Sequence, residues 1–439
     1  MIPRLFHAAS LPGSSSTARF RAFIAAASSP LRRSWEPRTT SRRARAVLER
    51  PRGALANCPR RPSIRAAHLY EALSKFARDY QGRKCFCMES ALILCEGSFG
   101  RTMGKTANGL VRYSARYRIV GVLDSTTAGR DAGELLDGRP NGIPIFAGLR
   151  EALSRLSETP ATLIVGVATF GGYIPKEFRP VIREAIEAGM SVAAGLHEYL
   201  AEDAEFAGLA AKHRVRLIDV RKPRPLRELA QFSDLSRHLP CLRIPVLGTD
   251  GAIGKRTTAI LLTEALRAGG VSAEFVATGQ TGLLQGARYG VALDAIKGDF
   301  MVGELEREVV RAYEESRPKV VVVEGQGSIS HPAYVAGTRA IIMASMPSGI
   351  VLQHAPARKT RNFRRDVVAW PMPTIEKEIQ MLELFSDAKV IALTLNHEGL
   401  APEEVHNIEK DYESRYSLPA CDPLLDGCEK VVNKIRSML

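Results

Sequence analysis

Residues 246–259, Val246-Leu-Gly-Thr-Asp-Gly-Ala-Ile-Gly-Lys-Arg-Thr-Thr-Ala259, decide how this chain is read. The glycine-rich loop separates an apolar run, Leu242–Leu247, from Ala259-Ile-Leu-Leu-Thr-Glu-Ala-Leu, which has helical periodicity. In a strand–glycine loop–helix unit, backbone N–H groups and the helix N-terminus cradle phosphate oxygens. Lys255 adds a point charge, and a hydroxyl from Thr257 or Thr258 is in reach of Mg²⁺ or a phosphate. The strict P-loop template is G-x4-G-K-[ST]. Here five residues separate Gly248 from Gly254, and Arg256 intervenes before Thr257. The flanking strand and helix favour a phosphate site over a flexible turn. Its expected contacts are Gly248, Thr249, Asp250, Gly251, Gly254, Lys255, Arg256, Thr257 and Thr258.

The 439 residues suffice for two ordinary domains. The net charge of +14 resides in the first 87 residues, which carry 18 Lys/Arg against Glu36, Glu49, Glu71 and Asp79. The other 352 residues hold 43 side chains of each sign. The body therefore has no overall electrostatic pull toward nucleic acid or an anionic membrane, and neither is expected as a partner. Residues 1–87 are rich in Arg and Ser and poor in acids, as in Ser28-Ser-Pro-Leu-Arg-Arg-Ser34. That composition fits an organelle transit peptide or an upstream extension ahead of Met88, and a disordered basic tail is expected either way. The first reading predicts a mitochondrial or plastid protein, the second a cytoplasmic one. No run approaches the roughly 18 apolar residues of a membrane span. The seven cysteines form no CxxC pair and read as free thiols.

After Met88, apolar runs alternate with helix-like segments, the signature of α/β folds with parallel sheets. Ala91–Cys95, Tyr117–Leu123, Ile143–Phe146, Thr162–Val167, Ser191–Ala194 and Val215–Asp219 read as strands. Helices are expected at Lys105–Ser114, Gly148–Leu156, Pro180–Ala188 and Leu196–His213. Together they predict a Rossmann-like domain over residues 88–230. Arg221-Lys-Pro-Arg-Pro-Leu226 is proline punctuation, which places the boundary within about 221–241. The P-loop domain then runs over 240–439, with further strands at Ala273–Thr278, Lys319–Val323, Gly349–Gln353 and Lys389–Thr394. Their β-branched richness with little alternation predicts burial on both faces.

Val320-Val-Val-Val-Glu-Gly-Gln-Gly-Ser328 ends a buried strand on an acid, and Glu324 with Thr257 is the candidate Mg²⁺ ligand set. Thr278-Gly-Gln-Thr-Gly282 follows the next strand at the edge where open α/β sheets bind ligands, which nominates Gln280 and Thr281. Asp294 and Asp299 bracket a short segment suited to metal binding, substrate ammonium binding or general base work. His331 and His354 both follow strand ends and precede prolines, without metal-ligand spacing. Gly97-Ser-Phe-Gly-Arg-Thr-Met-Gly-Lys-Thr106 is a second glycine loop, a candidate anion-binding turn with the wrong P-loop spacing. Gly195-Leu-His-Glu-Tyr reads as a helix start, with His197 structural.

The P-loop form Gly-Thr-Asp-x3-Gly-Lys resembles that of dethiobiotin synthetase. A broader likeness covers nearly everything from about residue 90. It runs through Gly-Val-Leu-Asp-Ser (121–125), Gly-Val-Ala-x2-Gly-Gly (166–172), Gly-Leu-His (195–197), Asp-Val-Arg (219–221) and the P-loop (248–258). It continues with Gly-Gln-Thr-Gly (279–282), Glu-Gly-Gln-Gly-Ser (324–328), Ser-His-Pro-Ala (330–333) and His-Ala-Pro (354–356). This pattern resembles the DUF1611 family, whose members include D-glutamate N-acetyltransferases. The resemblance implies a Rossmann-like domain joined to a P-loop NTPase-fold domain. It also implies transfer of an acetyl group from acetyl-CoA to the amine of D-glutamate or a related D-amino acid.

For that reaction His331, His354 or Asp299 would be the base, Lys255 with the loop N–H groups would steady the oxyanion, and the P-loop would hold the coenzyme's phosphates. Arg288, Arg339 or Arg358 would fork onto substrate carboxylates, with Gln280, Thr281 and Asp294 beside them. An ATP- and Mg²⁺-dependent ligase or kinase, or a nucleotide-binding regulator, are the alternatives. A homo-oligomer acting on a small molecule is expected.

Overall fold

The computed structural model describes residues 88–361 and 368–439. The expected disorder and targeting role of 1–87 fall outside the described residues. Residues 89–219 form a six-stranded parallel sheet, ordered β3-β2-β1-β4-β5-β6. Its strands are β1 (Glu89–Leu94), β2 (Tyr117–Leu123), β3 (Ile145–Phe146), β4 (Thr162–Val165), β5 (Ser191–Ala194) and β6 (Leu217–Asp219). The helices are α1 (Lys105–Arg112), α2 (Ala132–Asp137), α3 (Leu149–Arg155), α4 (Phe178–Glu187) and α5 (Ala204–His213). Leu92, Ile93, Leu163, Ile164 and Val192 are fully buried, as strands covered on both faces require.

One expected helix is shorter than its sequence pattern. Residues 196–203 do not join α5, because Asp203 caps it by accepting from the N–H groups of Glu205 (3.0 Å) and Phe206 (3.2 Å). Asp219 accepts from Leu200 N and Ala201 N, both at 2.9 Å, and holds the preceding stretch as a short 3₁₀ turn. His197 consequently stands in a loop, where Gly172 O accepts from its backbone N–H (2.9 Å).

The second sheet is also all parallel, ordered β13-β12-β11-β7-β10-β8-β9. It comprises β7 (Leu242–Gly248), β8 (Ala273–Ala277), β9 (Tyr289–Gly290), β10 (Val320–Glu324), β11 (Ile350–His354), β12 (Val390–Leu395) and β13 (Ala420–Cys421). Around it lie α6 (Lys255–Ala268), α7 (Gln280–Leu284), α8 (Gly298–Ser316), α9 (Ala336–Ser345), α10 (Ile375–Ser386), α11 (Pro402–Tyr416) and α12 (Glu429–Arg436). Alternate residues serve two cores. Ile244, Val246, Val320 and Val322 pack with Leu262 and Ile435 on one face. Leu247, Val321 and Val323 pack with Leu305, Val309 and Ile341 on the other. Both faces being covered explains why these strands show no polar alternation. Among the described residues no helix is long and apolar enough to cross a membrane.

Both sheets lie in one compact unit. The segment between them is held down by acids on α8: Glu304 accepts from Arg224 Nη2 and Ala230 N (2.6 Å each), and Glu306 from Ser233 N (2.7 Å). Helices that follow the C-terminal ends of strands in each sheet meet across a seam. The Thr106 and Thr281 hydroxyls bond at 2.9 Å, joining α1 to α7. Gln285 Nε2 donates to the carbonyls of Gly109 and Tyr113, both at 2.9 Å. Leu284 of α7 packs into the core of the first sheet.

At the P-loop strand, β7 and β10 are in register with Val246 opposite Glu324, and a Cβ on Gly325 would stand 2.0 Å from the Val246 carbonyl oxygen. A Cβ on Gly208, inside α5, would meet nothing within 4 Å. Gly325→Ala should therefore cost about 3 kcal/mol or more in urea unfolding. Gly208→Ala should gain about 0.5–1 kcal/mol by restricting the unfolded chain. Equal midpoints for the two variants would refute this account of the strand-end packing.

Candidate functional site

The loop after β7 turns tightly because Gly248 leaves no room for a side chain: a Cβ there would stand 3.0 Å from Gln353 O. Ala252 (φ 51°) and Gly254 (φ 100°) adopt left-handed backbone, and Gly254 caps α6. Lys255 is buried with its amine donating to the Asp250 carbonyl. Burial pushes that amine down to about 8, opposed by the nearby carboxylates of Asp250, Glu378 and Glu324.

Two arginines hold the loop's shape. Arg358 donates to Asp250 Oδ2 (3.0 Å), Gly251 O (2.9 Å), Ala252 O (3.2 Å) and Glu398 Oε2 (2.7 Å). It is thus engaged by the loop rather than offered as a fork for substrate carboxylates. Arg361 donates to Thr249 O (3.2 Å), Ser328 Oγ (2.8 Å) and Ser330 Oγ (2.6 Å). Glu378 of α10 anchors the same turn through Ile329 N (3.0 Å) and the Ser330 hydroxyl. Sequence reading missed Arg361 and Glu378, since neither sits in a glycine loop or at a strand end.

Both nominated histidines flank the loop. His331 Nδ1 accepts from Ala333 N (3.0 Å) and Tyr334 N (2.9 Å), so the neutral ring carries its proton on Nε2, 3.5 Å from Asp250 Oδ1. With its lone pair used, His331 supports the loop and cannot take a proton while those bonds persist. His354 shares a 2.9 Å hydrogen bond with the Thr249 hydroxyl, and burial pushes its pKa down to about 4. Asp299 lies exposed in the first turn of α8, where a carboxylate suits the helix dipole, and no hydrogen bond or ion pair ties it to a described residue.

Thr257 and Glu324 depart from the Mg²⁺ arrangement of a strict P-loop. The hydroxyl that a strict P-loop places directly after its lysine is replaced by Arg256. Thr257 is one residue further round α6, about 100° away, and the Thr258 hydroxyl is given to Gln353 Oε1 (2.6 Å). Glu324 Oε2 accepts from Thr278 N (2.9 Å) and Gly279 N (3.3 Å). Burial raises its pKa, against the pull of Arg256 and then of those N–H groups. Among the described residues no three His, Cys, Asp or Glu gather to hold a metal ion.

At the seam, sequence-nominated residues do meet. Arg221 donates to Asp294 through Nε (3.1 Å) and Nη2 (2.6 Å), and to Gln280 Oε1 (3.1 Å). His197 Nε2 stands 3.9 Å from Asp294 Oδ2, with its side chain 39% exposed. Burial, then Arg221, holds this imidazole below its usual range and so neutral near pH 7. The Arg256 side chain extends to α1: a Cβ on Gly109 would stand 2.8 Å from its Nη2. Lys105 opens α1 beside the seam-forming Thr106. Arg288 does not join this group, because it turns toward Glu315 (2.8 Å). Arg339 instead stacks on Phe385.

The second glycine loop has little left for an anion, since Asp124 accepts from Gly97 N (3.1 Å) and Phe99 N (2.9 Å). Arg221 is visible in a quoted motif, yet nothing in the sequence says that it meets Asp294 and Gln280.

The chain matches the P-loop domain of a family of unknown function, DUF1611, over residues 231–432, and that family's Rossmann-like N-terminal domain over 125–223. A D-glutamate N-acetyltransferase from Pseudoalteromonas sp is 30% identical over 299 residues, spanning 66% of this chain and 87% of that protein. One from Tritonibacter scottomollicae is 32% identical over 283 residues, spanning 63% and 81%. The crystal structure of a DUF1611 family protein from Anabaena variabilis is 31% identical, covers 80% of this chain and 99% of its own, and superposes with a TM-score of 0.73. With its P-loop built on β7 and α6 and its Rossmann-like sheet packed against it, this chain belongs to the DUF1611 family.

Proposed function

We propose that the protein is an N-acetyltransferase that moves the acetyl group of acetyl-CoA onto the amine of D-glutamate or a closely related D-amino acid. The observation that carries this reading is Arg256 in the place of the metal-binding hydroxyl, beside a Glu324 already engaged by backbone N–H groups. A P-loop so altered remains a phosphate cradle but loses the divalent ion on which nucleotide hydrolysis depends. Coenzyme A brings a pyrophosphate and a 3′-phosphate that need binding and no cleavage. The names of the two relatives supply the acceptor.

In the transfer, the acceptor amine attacks the acetyl carbonyl carbon, the new C–N bond forms, and the C–S bond breaks. One proton passes, in net terms, from nitrogen to the departing sulfur. The acetyl group lies at the far end of the pantetheine arm from the phosphates. The transfer takes place where that arm meets the acceptor, while Lys255, His331 and His354 are engaged within the loop. Those residues shape the cradle, and the base belongs where the acceptor sits. His197 suits that role: half-exposed, neutral, and 3.9 Å from Asp294.

With the full chain, D-glutamate should release free thiol from acetyl-CoA at an undiminished rate in excess EDTA and without ATP. ADP formation with no thiol release would instead make the protein a ligase. His197→Gln should lower kcat by about 100-fold or more with little change in the acceptor KM; a KM effect alone would remove it as the base. Lys255 is protonated below about pH 8 in the free protein and loses its charge above it. Affinity for coenzyme A should accordingly weaken as pH rises through about 8 in calorimetry, and Lys255→Met should abolish that dependence. A level affinity across this range in the wild type would take Lys255 out of the phosphate contact.

A further inference from the structure

Cations that project into a protein seam without a partner call for an anion from outside. One such group, Arg256, reaches from the P-loop domain to Gly109 of α1, one helical turn beyond the exposed Lys105. The Arg256 Nε is sequestered from solvent and makes no hydrogen bond, and no hydrogen bond or ion pair joins this side chain to any described residue. Lys105 likewise has no hydrogen-bonded or ion-paired partner among the described residues, although it stands first in α1, next to the Thr106–Thr281 bond. Arg221, Arg256, Asp294 and Glu324 are the charged groups close enough to act on its amine. Lys105 is open to solvent yet crowded by protein. Crowding first, and the two arginines after it, hold its amine below the ordinary lysine range.

The carboxylates nearby are each hydrogen-bonded to groups other than Lys105 and Arg256. Asp294 is engaged by both Nε and Nη2 of Arg221. Glu324 takes two backbone N–H groups, and the Arg256 charge acts on it without a hydrogen bond between them. A small anion entering the seam would meet Lys105 from one domain and Arg256 from the other. The half-exposed His197 and Asp294 stand on the same Arg221-centred network. Such a pocket has cations for carboxylates and the neutral imidazole of His197 for an amine, which is the polarity of an α-amino dicarboxylate.

We propose that the seam is the acceptor site, with Lys105 and Arg256 receiving carboxylates of an amino dicarboxylic acid and thereby selecting it over its neutral amide. The proposal rests on the acetyltransferase reading for the identity of the acceptor, and places that acceptor on residues outside the phosphate loop's own backbone. It makes the two domains mutually dependent, because neither alone presents both cations.

The test compares binding of D-glutamate and D-glutamine to the full-length protein by calorimetry, alongside coenzyme A. Wild type should prefer D-glutamate by about tenfold or more. Lys105→Met should erase most of that preference while coenzyme A binds within about twofold of wild type, and Lys105→Arg should retain it. Retained coenzyme A binding also reports that Lys105→Met is folded; if it is lost, the Lys105→Arg variant and the wild-type preference decide.

Equal binding of the two amino acids by wild type would overturn the proposal. So would a preference that survives Lys105→Met, or a Lys105→Met defect confined to coenzyme A, which would make the seam anion a phosphate. These outcomes are read without turnover. A protein that discriminates as described but transfers no acetyl group keeps the seam and loses the acetyltransferase reading. One that transfers acetyl groups while Lys105→Met keeps its preference does the reverse.

Discussion

The packing of α1 against α7 is the constraint on which the rest depends. In a parallel sheet every strand ends at the same edge, so the turns and helix starts that bind ligands collect there. This protein has two such sheets, and the bonds from Thr106 to Thr281 and from Gln285 to Gly109 and Tyr113 set segments leaving those edges against each other. A small residue permits the approach: a side chain on Gly109 would collide with Arg256 and crowd Thr281. Leu284 extends the contact into the first core, so opening the seam would expose apolar surface as well as break polar bonds.

Consecutive residues on α6 serve different ends because a helix turns about 100° per residue. Lys255 folds back into the loop, to the Asp250 carbonyl, while Arg256 reaches across to α1. Arginine at this position is permanently charged and planar, unlike the hydroxyl it replaces. It brings a fixed cation to the neighbourhood of Glu324, where nucleotide-hydrolysing P-loops collect a divalent ion. One substitution in the loop motif thus changes the electrostatics of the whole domain interface.

The sheets were legible in the sequence because both faces of each are buried. Runs such as Val320-Val-Val-Val and Ala91-Leu-Ile-Leu have no other explanation in a chain with helices between them. The P-loop was legible for a different reason, since backbone that must approach a phosphate needs glycine at set positions. The site around it was only half visible. His331 and His354 were found at strand ends, but their hydrogen bonds, and hence their inability to serve as free bases, depend on Ala333, Tyr334 and Thr249 in three dimensions. The α5 pattern misled over 196–203 because Asp203 and Asp219 compete for the backbone N–H groups that a longer helix would have used. Arg288 and Arg358 looked equivalent as guanidinium forks, and only the fold shows one turned to Glu315 and the other clamped on the loop.

Charge placement links the loop to the seam. Lys255 is surrounded by acids that favour its protonation and by burial that opposes it, leaving an amine whose charge responds to what binds beside it. An incoming phosphate adds negative charge and raises that amine's proton affinity, so ligand binding and protonation reinforce each other. The release of the Asp250 carbonyl from Lys255 would then be felt by Arg358, which holds the Asp250 side chain and the Gly251 carbonyl. Arg256 follows Lys255 in the first turn of α6, so a shift of that helix start carries both backbones.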